Sequence, residues 1–306
     1  MDHDHRAARH VQRHHHRAAL HAGRVRRPHP QRGQRPGRLP RAGAGGRVTR
    51  HLLVIGAQRS GTTYLHSLLE AHPAIAMAQP SRPEPKVFLS DELTDRGLDW
   101  YRATYFAHVA DETVLGDKST SYIEDPLAPA RAARMLGVPF VVALLRDPVT
   151  RAVSNWRFST DNGFENRGLV EALTDCLDEA AAGEWDRATT SVSPFAYLVR
   201  GRYADHLRPW LDAFPQTSHV LFTDELLGDP AVIRRLYADL GVDPGFVPPG
   251  RDEVVNESEE PAPDLPEELL RRLREYFADS DDALARLCGR RPPWTSDGGS
   301  DTHGAD

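Results

Sequence analysis

Apolar positions along the chain fall into two patterns. Short stretches rich in apolar residues cover 51–56, 138–145 and 218–223, the second of them continuous, with shorter ones at 74–78 and 114–117. Runs this short, bounded by polar or turn residues, predict strands covered on both faces. Between them, apolar residues recur at helical spacing. That spacing predicts helices over 62–70, 98–106, 126–136, 149–159, 169–181, 194–214, 230–240, 266–277 and 281–288. Pro73 ends the first helix, and the proline-rich stretch 80–85 stiffens the chain after the second strand. Pro148 suits the first turn of the helix after the central strand, with Asp147 as its cap. Strands alternating with helices predict an α/β fold of three layers, a central and mainly parallel sheet flanked by helices. No internal repeat interrupts this order. One folded domain is expected over 48–294, between a 1–47 extension and a polar tail over 295–306.

Composition changes the picture at the N-terminus. Of the 306 residues, 40% are hydrophobic and 27% charged, ordinary values for a globular chain. Residues 1–50, however, carry 13 Arg, no Lys, two acids and eight of the 15 His. The net charge of −6 therefore joins a strongly basic head to a strongly acidic body. With few large apolar residues, 1–47 is expected to be disordered. Its charge suits a nucleic acid, but it has no aromatic residue to stack on a base. It is taken as a dispensable extension, and no nucleic-acid partner is expected. The run His14-His15-His16 has no second ligand group fixed nearby.

No stretch approaches the ~20 apolar residues of a membrane span. The N-terminus lacks the apolar core of a secretory signal. Two cysteines, Cys176 and Cys288, leave no disulfide scaffold and no cysteine-built zinc site, in keeping with a reducing cytoplasm. Only two of the 38 basic residues are lysines, Lys86 and Lys118. A lysine kept against that bias points to a need for a compact point charge.

The first strand runs into Gly56-Ala57-Gln58-Arg59-Ser60-Gly61-Thr62-Thr63. A strand, a glycine-bearing loop and a helix make an anion site, because the first N–H groups of the helix are unpaired and point outward. The two glycines have Walker spacing, yet Thr62 stands where a nucleoside-triphosphate hydrolase has its lysine. Arg59 supplies a cation within the loop, and Thr62 and Thr63 supply hydroxyls. An ordinary strand-turn-helix remains the alternative for the loop alone.

The pattern cation-x-Gly-Thr-Thr after a buried strand resembles the phosphosulfate loop of sulfotransferases that use 3'-phosphoadenosine 5'-phosphosulfate (PAPS). The usual cation there is Lys. Further stretches match. Arg146-Asp147-Pro148, followed by Ser154, resembles the 3'-phosphate site of that family. Asp117-Lys118-Ser119-Thr120-Ser121-Tyr122 resembles the acid-Lys-Ser segment of the heparan-sulfate branch and its bacterial relatives, with Thr120 where Pro is frequent. The stretches beginning at Gly201 and Leu221 look like the same branch. The resemblance spans 51–294 and implies a P-loop fold. It also implies PAPS as co-substrate without a required metal, and transfer of a sulfuryl group to a hydroxyl, or less often an amine, of an acceptor.

Site residues follow from the same resemblance. Arg59, Ser60, Gly61, Thr62, Thr63, Tyr64, Arg146 and Ser154 are expected to hold the nucleotide, Tyr64 as an aromatic near adenine. Glu84, in Pro83-Glu84-Pro85-Lys86-Val87-Phe88, is the expected general base. Lys118 is expected beside it, and with Arg59 to stabilise the transferring group. Lys86 would share the face of Glu84 along an extended chain. His66 and His108 are weaker base candidates, and Arg151 and Arg157 candidates for pairing with helix acids. The family's late basic-Gly-basic segment is acidic here around 249–260, with Arg251 as its one substitute. The alternatives are an ATP- and magnesium-dependent P-loop kinase and a non-catalytic nucleotide-binding protein. The acceptor is read as a small molecule, lipid or glycan, since an acidic body disfavours a highly anionic polymer. Oligomeric state is left open.

Overall fold

The computed structural model describes residues 49–182, 195–249 and 264–295. The expectations for 1–47, for Arg251 and its acidic stretch, and for 296–306 lie outside the described residues. Among the described residues five strands form one sheet: β1 (Arg50–Gly56), β2 (Ile75–Met77), β3 (Val114–Lys118), β4 (Phe140–Leu145) and β5 (Ser218–Phe222). Their order is β2-β3-β1-β4-β5, and every pairing is parallel. β1 is central, with Val54 opposite Lys118 of β3 and Gly56 opposite Ala143 of β4.

Alternation along the strands builds the layers. Leu53, Ile55, Val141, Ala143 and Leu145 face one side, in a core with Tyr101, Tyr122, Tyr203 and Trp210. That side is covered by the short α2 (Asp91–Thr94), α3 (Gly97–Tyr105), α4 (Ala128–Leu136), α7 (Tyr203–Ala213) and part of α10 (Glu267–Cys288). Leu52, Val54, Val142 and Leu144 face the other side, against α1 (Thr62–Glu70), α8 (Thr223–Gly228) and α9 (Pro230–Asp239). A third core joins α5 (Pro148–Asp161), α6 (Leu169–Ala182) and α10. The expected three-layer α/β fold is the one observed. Among the described residues, no helix is long and apolar enough to cross a membrane.

The larger differences from the sequence reading have local reasons. β4 begins at Phe140 rather than 138, since Gly137 takes φ 74° and Val138 is 73% exposed. The helix expected over 194–214 begins at Tyr203, after a 3-10 turn at Val199–Gly201. A Cβ on Gly201 would lie 2.8 Å from Phe277 and 2.9 Å from Pro148, so this turn packs with its backbone. The helices expected over 266–277 and 281–288 are one helix, α10. The polar run between them, Asp279 to Asp282, is unfavourable to a helix but does not break it. Arg202 forks onto Asp279 at 3.1 Å, and Ser280 and Asp281 are buried in mid-helix.

Candidate active site

β1, β3 and β4 end on the same edge of the sheet, the carboxyl edge where parallel sheets place their ligands. The loop after β1, the Lys118–Tyr122 segment after β3 and Arg146 after β4 leave from that edge. β1 ends at Gly56, whose Cβ position would lie 2.6 Å from Ile123 Cγ2 and 3.0 Å from the Thr120 carbonyl. Only glycine lets the loop pass that close. Ala57 N–H donates to the Leu144 carbonyl at 2.8 Å, anchoring the loop to β4. Gly61, at φ 81°, is the residue before α1, and no side chain caps that helix. Thr223 Oγ1 lies 2.8 Å from the Ser60 carbonyl and 2.9 Å from that of Leu145, tying the loop to α8. Ser60 and Thr62 are buried, and Thr63 half-buried, at the helix start. The result is a rigid helix N-terminus with its amides free of side-chain caps, suited to an anion.

Arg59 leaves this loop at φ 66° and reaches α5. Its Nε donates to Ser154 Oγ at 3.2 Å, and its guanidinium lies 5.0 Å from the Phe158 ring centre. Burial pushes its pKa below the usual value, and the charge of Arg146 pushes the same way, with Asp161 opposing. Arg146, directly after β4, thus lies within electrostatic reach of Arg59. Neither makes an ion pair among the described residues. Asp147, next to Arg146 in the sequence, is otherwise engaged. It accepts from Val149 N–H as the cap of α5, and from Arg274 of α10 at 2.8 and 2.6 Å. Arg59, Arg146 and Ser154 therefore share one corner beside the loop, two positive charges and a hydroxyl suited to an anion. Tyr64 stands apart from it: only 6% exposed, its ring packs in the core between α1 and the sheet.

Glu84 and Lys118 meet across 34 positions of sequence. Lys118 Nζ donates to Glu84 Oε1 at 2.7 Å, with the side chains 10% and 16% exposed. Glu84 Oε2 accepts from Thr120 N–H and from Thr120 Oγ1, each at 3.0 Å. Sequence reasoning noted Thr120 only as a departure from proline; a proline could have supplied neither donor. Gln58 Nε2 donates to Ser121 Oγ at 3.1 Å, joining this segment to the anion loop. Lys86 does not follow the extended path expected of it. It turns at φ 52° into a 3-10 turn at Val87–Leu89, and its charge is felt by Glu124.

The remaining candidates divide by burial. His66 is buried on α1, its Nδ1 3.8 Å from Glu70. Burial lowers its pKa first, with Glu70 opposing, Lys118 lowering and Glu84 opposing, so it stands near the pair. His108 is exposed and stacks on Phe106, away from these contacts. Arg151 is fully buried on α5, hydrogen-bonded to Asn155 and to the Tyr197 carbonyl, with burial pushing its pKa down to about 10. Beside it, Arg200 Nε contacts both oxygens of Glu124 at 3.0 and 3.1 Å, the side chains 3% and 2% exposed. This buried pair locks the turn after β3 to the turn before α7. No sequence signal marks it, because its partners lie 76 positions apart.

A family model described as a sulfotransferase domain matches residues 49–245. The bifunctional heparan sulfate N-deacetylase/N-sulfotransferase 1 of Caenorhabditis briggsae is 29% identical over 185 residues, 60% of this chain and 21% of that protein. The heparan sulfate glucosamine 3-O-sulfotransferase 3B1 of Mus musculus is 27% identical over 275 residues, 83% of this chain and 67% of that protein. The chain thus spans from about a fifth to two thirds of the length of these relatives. Among solved structures, a sulfotransferase from Alicyclobacillus acidocaldarius aligns with a TM-score of 0.63 at 24% identity, over 79% of this chain and 97% of that one. That likeness is one of fold.

Proposed function

The chain belongs to the sulfotransferase domain family, and from that premise we propose that it moves a sulfuryl group from PAPS to a hydroxyl of an acceptor, with Glu84 as general base. Sulfuryl transfer is the family's activity; the donor, the base and the acceptor class are the proposed part. The observation that carries the reading is the corner of Arg59, Arg146 and Ser154. Two neighbouring cations that form no ion pair among the described residues, on two segments joined by one hydrogen bond, suit a nucleotide phosphorylated at both ends.

In this reading the α1 N-terminus, with Thr62 and Thr63, holds the 5' end, and Arg146 with Ser154 holds the 3'-phosphate. Arg59 stands between them. Bound PAPS supplies a sulfuryl group on a phosphate leaving group. Glu84 takes the acceptor hydroxyl proton on Oε1 or Oε2. Thr120 and Lys118 fix its carboxylate, and Lys118 sets a positive charge beside the transferring group. Positioning and fixed charge do most of the work, as in phosphoryl transfer. The relatives, a heparan sulfate N-sulfotransferase and a heparan sulfate glucosamine 3-O-sulfotransferase by name, support a hydroxyl- or amine-bearing glycan within the acceptor class. Scarce cysteine supports a cytoplasmic setting.

The test is Glu84→Gln. Radiolabelled PAPS is offered with a panel of glycan, lipid and aryl alcohols. The variant is expected to bind 3'-phosphoadenosine 5'-phosphate as the wild type does and to lose at least a hundredfold in transfer. Transfer within threefold of wild type would remove Glu84 as the base.

A further inference from the structure

Asp117 is a buried carboxylate that the proposed chemistry does not use. It is 0% exposed at the end of β3 and makes no ion pair among the described residues. Three hydroxyls donate to it instead. Ser119 Oγ donates to Oδ1 at 2.8 Å, and Tyr122 and Tyr101 donate to Oδ2 at 2.9 and 3.1 Å.

An ionised carboxylate can only accept. It therefore fixes where each of those hydroxyl protons points, and so where each remaining lone pair points. Two of the lone pairs are used by the segment that carries Glu84. Ser119 Oγ accepts the Lys86 N–H at 2.9 Å, and the Tyr122 hydroxyl accepts the Phe88 N–H at 3.4 Å. Tyr105, beside Tyr101 on α3, donates to the Pro85 carbonyl at 3.4 Å. The left-handed turn at Lys86, two residues past Glu84, is thus held from below by groups that Asp117 orients.

Alternation along β3 and its extension puts the two functions on opposite sides. Asp117 and Ser119 are buried, while Lys118 and Thr120 are the half-buried residues that contact Glu84. We propose that Asp117 is a positioning residue for Glu84, acting through Ser119 and Tyr122 on the backbone of residues 85–89. The inference rests on Glu84 being the base.

The experiment reads the two amides directly, in the full chain. Hydrogen exchange at Lys86 and Phe88 is measured for wild type, Ser119→Ala, Asp117→Asn and Tyr101→Phe. Transfer from PAPS is measured alongside, with the acceptor identified by the panel. Ser119→Ala breaks the link to Lys86 and leaves Asp117 two tyrosine donors. It is expected to speed Lys86 exchange at least tenfold. It is also expected to lower kcat at least tenfold, with the KM for PAPS within twofold. Tyr101→Phe removes a donor of equal burial whose hydroxyl bonds to Asp117 and to no backbone group of 85–89, keeps the ring that packs on Phe88, and is expected to leave both readouts within threefold. Asp117→Asn puts an NH2 against converging donors and is expected to match or exceed Ser119→Ala; where it does not fold, Ser119→Ala decides. Unchanged Lys86 exchange in Ser119→Ala, or an equal loss of kcat in Tyr101→Phe, overturns the proposal. The exchange readout needs no acceptor. A Glu84→Gln enzyme that stays active would remove the base assignment and the role built on it, while a dead Glu84→Gln with a normal Ser119→Ala removes this inference alone.

Discussion

Replacing Lys118 by Met leaves the Glu84 carboxylate without its cation while keeping the volume of the side chain. The pair is short, at 2.7 Å, and mostly shielded, with the lysine 10% and the glutamate 16% exposed. Breaking a buried pair by removing one partner costs about 3–5 kcal/mol, because a charge stays buried alone. Here Thr120 still gives Glu84 two donors at 3.0 Å, and water reaches part of the carboxylate. The expected loss is therefore below that range, about 2–3 kcal/mol. In a domain of this size that is a Tm lower by about 4–12 °C. The assay is urea unfolding of the full chain at neutral pH, with the slope checked for constancy across variants. Glu84→Gln/Lys118→Met removes both charges, and should recover to within about 1 kcal/mol of wild type, a coupling above ~1 kcal/mol. Lys118→Met within about 0.5 kcal/mol of wild type, or a double variant that is simply additive, would refute this account of how Glu84 is held.

Two further outcomes follow from neighbouring groups. Burial pushes the Asp117 pKa up from 3.8 to about 6, against the pull of Ser119, Tyr122 and Tyr101 and with a smaller push from Glu84. A raised folded pKa contributes stability that is complete below pH 3.8 and is lost as pH rises through about 6. Asp117→Asn should remove this dependence, so that wild type gains on the variant by about 2 kcal/mol between pH 7 and pH 4, read by urea midpoints; parallel pH profiles would contradict it. Gly56→Ala would place a methyl 2.6 Å from Ile123 Cγ2 and 3.0 Å from the Thr120 carbonyl. It should cost about 1–3 kcal/mol by overpacking and lower transfer at least tenfold, by moving Thr120 against Glu84; normal activity at reduced stability would separate the two effects.

What was legible in the sequence is what is local in the chain. The strand, loop and helix from 51 to 70 were readable from one apolar run, two glycines and one helical stripe. Asp147 as the cap of α5 was readable because Pro148 fixes where that helix begins. The pairing of Glu84 with Lys118 came through resemblance, since no periodicity relates residues 34 apart. Lys86 was misplaced because an extended chain was assumed where the backbone turns at φ 52°, a conformation that Ser119 and its neighbours support from elsewhere in the sequence. Tyr64 was expected near adenine, but a one-residue difference in helix phase decides whether a side chain faces ligand or sheet, and its ring faces the sheet. The Arg200–Glu124 pair and the continuity of α10 depend on packing between distant elements, which a linear pattern does not contain.

The most direct test of the account is calorimetric titration with 3'-phosphoadenosine 5'-phosphate in EDTA, beside its analogue lacking the 3'-phosphate and beside ATP with magnesium. Loss of a charge-assisted contact of about 1.5–3 kcal/mol corresponds to a tenfold to hundredfold change in affinity. The account predicts metal-independent binding that weakens by at least tenfold without the 3'-phosphate. It predicts a similar weakening in Arg146→Ala, with the dephosphorylated analogue bound equally by both proteins. Preference for magnesium-ATP, or 3'-phosphate binding indifferent to Arg146, would contradict it.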